Sequence, residues 1–354
     1  MAGDQTQTIH DQVQQAISDQ QTLSINGSGS HEFMLPDHAA DSRIDMTAHS
    51  GIIDYQPTEL TLKARAGTAI IDIQQTLAEQ RQRLPTDFPM YSFKATLGGA
   101  LAIGHTGSGR PFLGAIRDHI LGASMINGFG HQLIGGAQVM KNVAGYDISR
   151  LLCGSRGTLG PVLDITVKVL PQPQLLQTRV FDMAENEAIE SMNKIAGLAL
   201  PVNACVHLDQ RLYVRLEGSE SGVRQASAKL GGEALPDSDL FWDSIQHQTH
   251  DFFQGRHPLW RVIVPATSSE LELEHKHHSL IDWCGGLRWI YADQISQADF
   301  IHVSNLGGYI EGHRDAPPTE PASLMSPLQK QMHQNIKRSF DPSNIFNPAL
   351  SGFN

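Results

Sequence analysis

The sequence predicts an α+β fold of two domains, and three observations support this prediction. The chain has 354 residues, which is more than one ordinary hydrophobic core accommodates. Glycine is crowded into one stretch, since 15 of the 32 glycines lie between Gly98 and Gly160. Short strand and helix patterns alternate along the chain, and glycine thins out after Pro171 and Pro173. We therefore expect a glycine-rich domain, a smaller α+β domain and a C-terminal helix with its tail, over 1–172, 173–325 and 326–354.

The elements of the first domain follow from apolar periodicity. Ile9, Val13 and Ile17 recur every four residues and predict a short amphipathic helix. A second helix is expected to begin near Ile70 and to end before Pro85. Runs of β-branched and alternating apolar residues predict strands, at 22–25, 52–55, 60–65, 121–126 and 163–170. The Asn127-Gly128 dipeptide, which follows the fourth of these runs, predicts a β-hairpin turn.

The second domain has fewer glycines and longer elements. We predict two helices, at 188–200 and 221–230. Between them we predict a pair of strands, at 202–208 and 211–216. Near the end of the chain, Leu328, Met332 and Ile336 lie on one face of a final helix. We expect this helix and its tail to return to the first domain.

The composition excludes several classes of function. Lys and Arg total 26 against 37 Asp and Glu, and a formal net charge of −11 repels nucleic acid. The three cysteines, Cys153, Cys205 and Cys284, form no CxxC motif, so no iron–sulfur or zinc site is expected in this chain. Such sparse cysteines fit a reducing compartment. The N-terminal residues do not read as a signal peptide and no run of about 18 apolar residues exists, so we expect a cytoplasmic protein.

The first glycine-rich loop has the composition of an anion site. It follows a predicted strand and reads Asn26-Gly27-Ser28-Gly29-Ser30. Its backbone amides could turn inward and bind a pyrophosphate, since each hydrogen bond to a charged group contributes about 1.5–3 kcal/mol. A plain turn is the alternative. The loop is not a Rossmann fingerprint, because no third glycine and no amphipathic helix follow at the required distance.

A second group of small residues begins at Ala95 and continues through Thr96, Gly98 and Gly99. Small residues let the backbone lie flat against a ring system or a phosphate, and the Thr96 hydroxyl could donate to a phosphate oxygen. The alternative is a helix N-terminus packed against a sheet, which also needs small residues.

Five segments, taken in order, resemble the FAD-binding domain of the vanillyl-alcohol oxidase and p-cresol methylhydroxylase family. The resemblance extends over nearly the whole chain and is greatest to the FAD-binding subunits of glycolate oxidases. The segments that carry it are Gly51–Leu60, Ala95–Gly99, Val139–Asp147, Gly157–Gly160 and Phe340–Pro348. The resemblance implies a two-subdomain FAD-binding domain, a smaller α+β cap domain and a C-terminal helix that returns to the FAD domain.

The resemblance also implies which residues bind the cofactor. The pyrophosphate loop corresponds to Asn26, Gly27, Ser28, Gly29 and Ser30. The segments that line the flavin, and the loop after them, correspond to Pro89, Ala95, Thr96, Leu97, Gly98, Gly99, Gly104 and Gly107. The turn that closes over the cofactor corresponds to Lys141, Asn142, Gly145 and Tyr146. The adenosine end corresponds to Gly157, Gly160 and Ile165.

Two departures from the family pattern shape the remaining expectations. Some relatives attach FAD through a His or a Cys, but His31 follows the first loop and no cysteine lies in the early loops, so we expect non-covalent FAD. Relatives that oxidise 2-hydroxy acids carry a His-rich motif with Gly-Asp-Gly-Asn, which holds a metal. His302–Gly308 is the nearest segment and lacks its acidic residue. The run His275–His278 reads as the polar face of an exposed helix, and metal binding there is the alternative. No metal site and no catalytic residue are assigned.

The resemblance implies the function of an FAD-binding subunit of a glycolate oxidase or dehydrogenase complex. A sister FAD subunit of the GlcD type would oxidise glycolate to glyoxylate, and an iron–sulfur subunit of the GlcF type would carry the electrons onward. Contact with the inner membrane would be made through these partners. The alternative is a free-standing FAD-dependent 2-hydroxy acid oxidoreductase, with one of four arginines holding the substrate carboxylate: Arg211, Arg215, Arg261 or Arg288. A third possibility is a scaffold that has lost its cofactor, against which the intact glycine-rich loops argue.

Overall fold

The chain divides into two units, each with its own sheet and core. The structure, a computed structural model, describes residues 3–35, 39–136, 147–318, 323 and 325–351. The first unit comprises 1–105, 115–172 and 320–354, and the second comprises 106–114 and 173–319. The segment 106–114 therefore lies in the second unit, although the sequence prediction placed it in the first domain. It is held there by Ser108 Oγ, which donates to Asp282 Oδ2 at 2.8 Å, and by Trp283 Nε1, which donates to the Gly107 carbonyl at 2.9 Å.

The helices and strands agree in type with most of the sequence predictions. The helices are α1 (Thr6–Asp19), α2 (Ile70–Glu79), α3 (Leu97–Ile103), α4 (Arg110–Leu113), α5 (Ile116–His119), α6 (Ile148–Leu151), α7 (Glu185–Ala196), α8 (Glu220–Leu230), α9 (Ser238–Gln246), α10 (Gln297–Asn305), α11 (Pro327–Phe340) and α12 (Pro348–Ser351). The strands are β1 (Leu23–Asn26), β2 (Ser42–Asp45), β3 (Ile52–Gln56), β4 (Thr61–Arg65), β5 (Gln82–Arg83), β6 (Ile120–Ile126), β7 (Gln132–Gly136), β8 (Val162–Lys168), β9 (Leu170–Pro171), β10 (Leu175–Asp182), β11 (Val202–Leu208), β12 (Arg211–Gly218), β13 (Glu233–Ala234), β14 (Leu259–Ile263), β15 (Lys276–Asp282), β16 (Leu287–Ala292) and β17 (Tyr309–Arg314). None of the helices in the described part of the chain is long and apolar enough to cross a membrane.

The first unit is built on a five-stranded antiparallel sheet with the order β3-β4-β8-β6-β7. A separate parallel pair, β1-β2, leads into the first glycine-rich loop. The predicted hairpin is present as β6–β7, but its connection is five residues long rather than a two-residue Asn-Gly turn. The Asn127 side chain organises this connection, because its Oδ1 accepts from the amides of Phe129 and His131 at 3.1 and 2.9 Å.

The helical periodicity that predicted α1 and α2 corresponds to their buried faces. Ile9 and Val13 of α1 are buried, and Ile70, Ile73 and Leu77 of α2 are fully buried in the same core. Residues three and four apart share one face of a helix, so a single apolar stripe suffices to seal each helix against the core.

The C-terminal helix α11 is anchored by a buried ion pair rather than by its whole predicted apolar face. Leu328 and Met332 are exposed, whereas Ile336 packs against the core of the first unit. Lys337 is buried, and its Nζ donates to Asp341 Oδ2 at 2.6 Å and to the carbonyls of Phe346 and Thr158 at 3.0 and 2.7 Å. Three oxygen acceptors allow the lysine ammonium to be buried at a position outside the apolar pattern of Leu328, Met332 and Ile336.

The second unit contains an eight-stranded antiparallel sheet with the order β13-β10-β12-β11-β15-β16-β14-β17. Strand β11 is buried along its whole length. Alternate side chains of a strand point to opposite faces, so Cys205 joins one apolar cluster while Ala204 and Val206 join another. The run His275–His278 forms the loop before β15 and the start of that strand, not an exposed helix, which corrects the sequence prediction.

Candidate cofactor site

A single cleft of the first unit gathers most of the glycine-rich segments. Its volume is about 780 Å³ measured out to its open mouth, which is within the range of small-molecule and cofactor sites. The sequence-predicted residues that line it are Asn26, Gly27, Ser28, Gly29, Ser30, Thr96, Gly98, Gly99, Gly157 and Gly160. Segments that are more than 100 residues apart in sequence therefore meet at one site. Their assignment to particular parts of a cofactor stays a prediction.

The first loop is positioned by strand β1 and by the C-terminal tail. Ile25, the penultimate residue of β1, donates its amide to Asn347 Oδ1 at 2.8 Å. Gly29 has a φ of +77°, a backbone conformation that residues other than glycine rarely adopt. A Cβ atom on Gly27 would lie 2.8 Å from Thr96 Oγ1, so this position has no room for a side chain. The loop backbone can consequently approach a ligand closely.

Two polar side-chain atoms of this loop are buried without a hydrogen-bond partner among the described residues. They are Asn26 Oδ1 and Ser28 Oγ, and both residues line the cleft. Leaving a buried polar atom unpaired costs about 1–3 kcal/mol, which a bound ligand or water would recover. A serine hydroxyl can donate to a phosphate oxygen, and an amide oxygen can accept from a ligand hydroxyl or N–H. The donor set therefore fits a polar ligand such as a pyrophosphate with its attached sugar chain.

Thr96 is compatible with both of the roles that the sequence left open. Its side chain accepts from the Gly99 amide at 3.1 Å and so begins helix α3 as an N-cap residue. The hydroxyl retains its own proton and lines the cleft. Gly98 is packed as tightly, because a Cβ there would lie 2.8 Å from the Cβ atom of Ala66 and 2.9 Å from its carbonyl oxygen.

Another part of the cleft lining combines a glycine turn with the C-terminal tail. Gly157 has a φ of +71°, and a Cβ on it would lie 2.7 Å from Asn347 Nδ2. The same amide group donates to the Arg156 carbonyl at 2.8 Å. Three further residues that were not predicted as site residues also line the cleft: Arg156, Asn347 and Leu350. For Asn347, the sequence offered one signal of a role at the site, which was the Phe340–Pro348 motif of the resemblance.

His31 also lines the cleft and was not predicted as a site residue. It is buried, its ring makes an edge-on contact with Tyr91 at 5.2 Å, and its Nδ1 lies 2.9 Å from Ser30 Oγ. Burial lowers the pKa of His31 to about 4, so the imidazole is neutral at pH 7.

The other predicted cofactor residues lie elsewhere. Ala95, Leu97 and Ile165 are fully buried in the core of the first unit, and Pro89 is buried without lining the cleft. Gly104 ends helix α3 with a φ of +73°. Gly107 belongs to the second unit, where its carbonyl accepts from Trp283. Four predicted residues lie outside the described part of the chain: Lys141, Asn142, Gly145 and Tyr146.

Comparison with known proteins defines the class and then the family. Residues 3–135 match the family model described as an FAD binding domain. This match defines residues 3–135 as an FAD-binding domain, and together with the GlcE match given next it makes the chain part of an FAD-dependent oxidoreductase. Over 348 residues the chain is 38% identical to glycolate oxidase subunit GlcE of Escherichia coli K12, covering 98% of this chain and 97% of that protein. The chain therefore belongs to the GlcE family of glycolate oxidase subunits, which confirms the resemblance found in the sequence.

Other relatives share only part of the chain. Glycolate oxidase subunit GlcD of Bacillus subtilis is 30% identical over 168 residues, which is 47% of this chain and 35% of that protein. D-lactate dehydrogenase of Anaerostipes hadrus is 31% identical over 131 residues, 37% of this chain and 27% of that protein. Among solved structures, an alkyldihydroxyacetonephosphate synthase matches with a TM-score of 0.65 at 17% identity, covering 97% of this chain and 75% of that one. This likeness concerns the fold alone and agrees with the predicted fold class.

Proposed function

We propose that this chain is the FAD-binding subunit of a complex that oxidises glycolate to glyoxylate. The observation that carries the proposal is the cleft between the loops at 26–30, 96–99 and 156–160, with the unpaired Asn26 Oδ1 and Ser28 Oγ inside it. The GlcE membership of the chain supplies the substrate class. Bound FAD would accept the two electrons that are released when the C–H bond of glycolate is oxidised.

The residues of the cleft would divide the binding of FAD among them. The amides of the 26–30 loop and the Ser28 hydroxyl would hold the pyrophosphate, because both are hydrogen-bond donors that line the cleft. The Thr96 hydroxyl would add a further donor, since its oxygen already accepts from Gly99 and its proton remains available. Gly157 and Gly160, both with positive φ, would keep their part of the lining free of side chains.

We propose that FAD is held without a covalent bond. The described residues that line the cleft include no cysteine and one histidine, His31, which is buried beside Ser30. After acid precipitation of the purified holoprotein, the yellow flavin should remain in the supernatant, for the wild type and for His31→Gln alike. Flavin that stays in the wild-type pellet and leaves the His31→Gln pellet would show a histidyl link instead.

We propose further that a GlcD-type flavoprotein and a GlcF-type iron–sulfur subunit complete the complex. The matches to a GlcE subunit and to a GlcD subunit support a complex of several subunits. The assembly would be cytoplasmic, with any contact to the inner membrane made through the partner subunits.

The alternative of a free-standing enzyme depends on an arginine that could hold a carboxylate. Arg211 pairs with Asp182 at 3.1 Å, and Arg261 pairs with Glu311 at 2.6 Å. Arg215 donates to Asn203 Oδ1 at 2.7 Å. Arg288 is buried, and its Nε and Nη1 have no partner among the described residues. This buried guanidinium, with two nitrogens that have no partner among the described residues, is the one observation that favours a free-standing enzyme.

Anoxic titration of the purified chain with glycolate separates the two functions. If the chain acts only within the complex, its bound FAD should keep its absorbance near 450 nm at about millimolar glycolate, a concentration at which typical enzymes approach saturation. Adding the partner subunits should then bleach it. Full bleaching by glycolate or lactate in the isolated chain would establish the free-standing enzyme, and Arg288→Lys is the variant that should then raise KM.

A further inference from the structure

Three metal-ligating side chains of the second unit converge at one end of its sheet. His257 lies two residues before β14, His277 lies in β15 and Asp293 directly follows β16. These strands are neighbours in the order β15-β16-β14, and Leu259 of β14 pairs with Tyr291 of β16. The antiparallel register therefore places His257 opposite Asp293.

The three side chains already contact one another. His257 Nδ1 lies 2.7 Å from Asp293 Oδ1, and His277 Nε2 lies 3.0 Å from the other carboxylate oxygen, Oδ2. The two imidazole rings stack with centroids 4.1 Å apart and planes inclined by 27°. One ligand atom from each residue lies within 4.8 Å of the other two. Small rotations of the side chains would bring these atoms around one ion.

An irregularity in the sheet accompanies this convergence. The register between β15 and β16 shifts between Lys276 and His278, so His277 is the extra residue of a β-bulge. A bulge bends its strand and redirects the side chain of the extra residue, and bulges are common beside functional sites. This bulge presents His277 to His257 and Asp293.

We propose that His257, His277 and Asp293 bind a divalent transition-metal ion, with Zn²⁺ as the representative of its class. Two imidazoles and one carboxylate form the ligand set of zinc sites that keep a fourth position open, and imidazole ligands disfavour Mg²⁺ and Ca²⁺. The three side chains are 48%, 41% and 58% exposed, so water reaches the fourth position. The ion would join the ends of three strands.

The neighbouring His278 provides a matched control. It is an exposed histidine of the same strand, and its Nε2 lies 2.8 Å from one carboxylate, that of Asp209. Among the described residues, no third side chain of a metal-ligating type joins this pair. His278→Ala therefore removes a histidine–carboxylate pair without touching the proposed site.

The test is isothermal titration of ZnCl₂ into the full-length, tag-free protein after treatment with a chelator. We expect one Zn²⁺ per chain, with binding weakened roughly tenfold or more by His277→Ala and by Asp293→Asn, and unchanged by His278→Ala. Binding of Co²⁺ should give visible absorption bands that the same two variants lose. Circular dichroism should show each variant folded, because the replaced side chains are exposed. Wild-type affinity in His277→Ala, an equal loss in His278→Ala, or no binding by the wild type would each overturn the proposal.

Discussion

Replacing Asp341 with alanine should lower the free energy of unfolding by about 3–5 kcal/mol, because the substitution leaves the buried Lys337 ammonium without its charge partner. The Asp341 side chain is fully buried, and it also accepts from the amides of Ile345 and Phe346 at 3.0 and 2.9 Å. Burial lowers the pKa of Lys337, and the Asp341 carboxylate opposes that shift. Removing the carboxylate would therefore lower the pKa of Lys337 further and destabilise its charged form. Urea unfolding followed by circular dichroism measures the change.

Two comparison variants isolate the cause of this loss. Glu190→Ala breaks an exposed pair of the same helical spacing, in which Lys194 Nζ lies 3.6 Å from Glu190, and should cost less than about 1 kcal/mol. The double variant Lys337→Met with Asp341→Asn leaves no unpaired buried charge, so it should recover part of the loss. A cost in Asp341→Ala as small as that in Glu190→Ala would mean that the buried pair does not anchor the tail.

Replacing Gly27 with valine should weaken FAD binding by roughly 100-fold or more, which is about 3 kcal/mol. A Cβ at this position would lie 2.8 Å from Thr96 Oγ1, so the loop or the threonine must move. Either movement displaces the amides that we propose hold the pyrophosphate. The measurement is the quenching of FAD fluorescence on titration of the flavin-free protein.

Gly197→Ala is the matched control for the Gly27 variant. Gly197 lies at the end of α7 in the second unit, where the nearest atom to an added Cβ would be 3.5 Å away, an ordinary contact. This variant should bind FAD as the wild type does. Equal FAD affinity in Gly27→Val and the wild type would remove the loop from the proposed site. Failure of the wild type itself to bind FAD would favour a scaffold without cofactor.

The parts of the site that the sequence predicted are those with a local signature. The Asn26–Ser30 loop was predicted because its glycines mark positive φ or close backbone approach, properties that do not depend on distant residues. Gly157 was predicted only through the family resemblance. Asn347 has no such signature. Its role arises only because the tail returns to β1 and bonds Ile25 and Arg156, which are 322 and 191 residues away in sequence.

The incorrect predictions share a physical origin in tertiary contacts. The His275–His278 run has no apolar alternation of its own, and it joins β15 through pairing with β16. The segment 106–114 belongs to the second unit because Ser108 bonds the buried Asp282, a residue 174 positions away. On α11 the apolar stripe suggested a buried Leu328, yet the ion pair of Lys337 sets the buried face. Local propensity contains none of this information.

The return of the tail to β1 imposes an order on biosynthesis. The Leu23 amide donates to the Ile345 carbonyl, and the Asn347 amide donates to Leu23 in turn. The ribosome must therefore release every residue of the second unit before the strand that carries the first glycine-rich loop gains its last neighbour. Until residues 345–347 are made, the nascent chain has an unfinished cleft, so we expect the flavin to bind only after this segment has been synthesised.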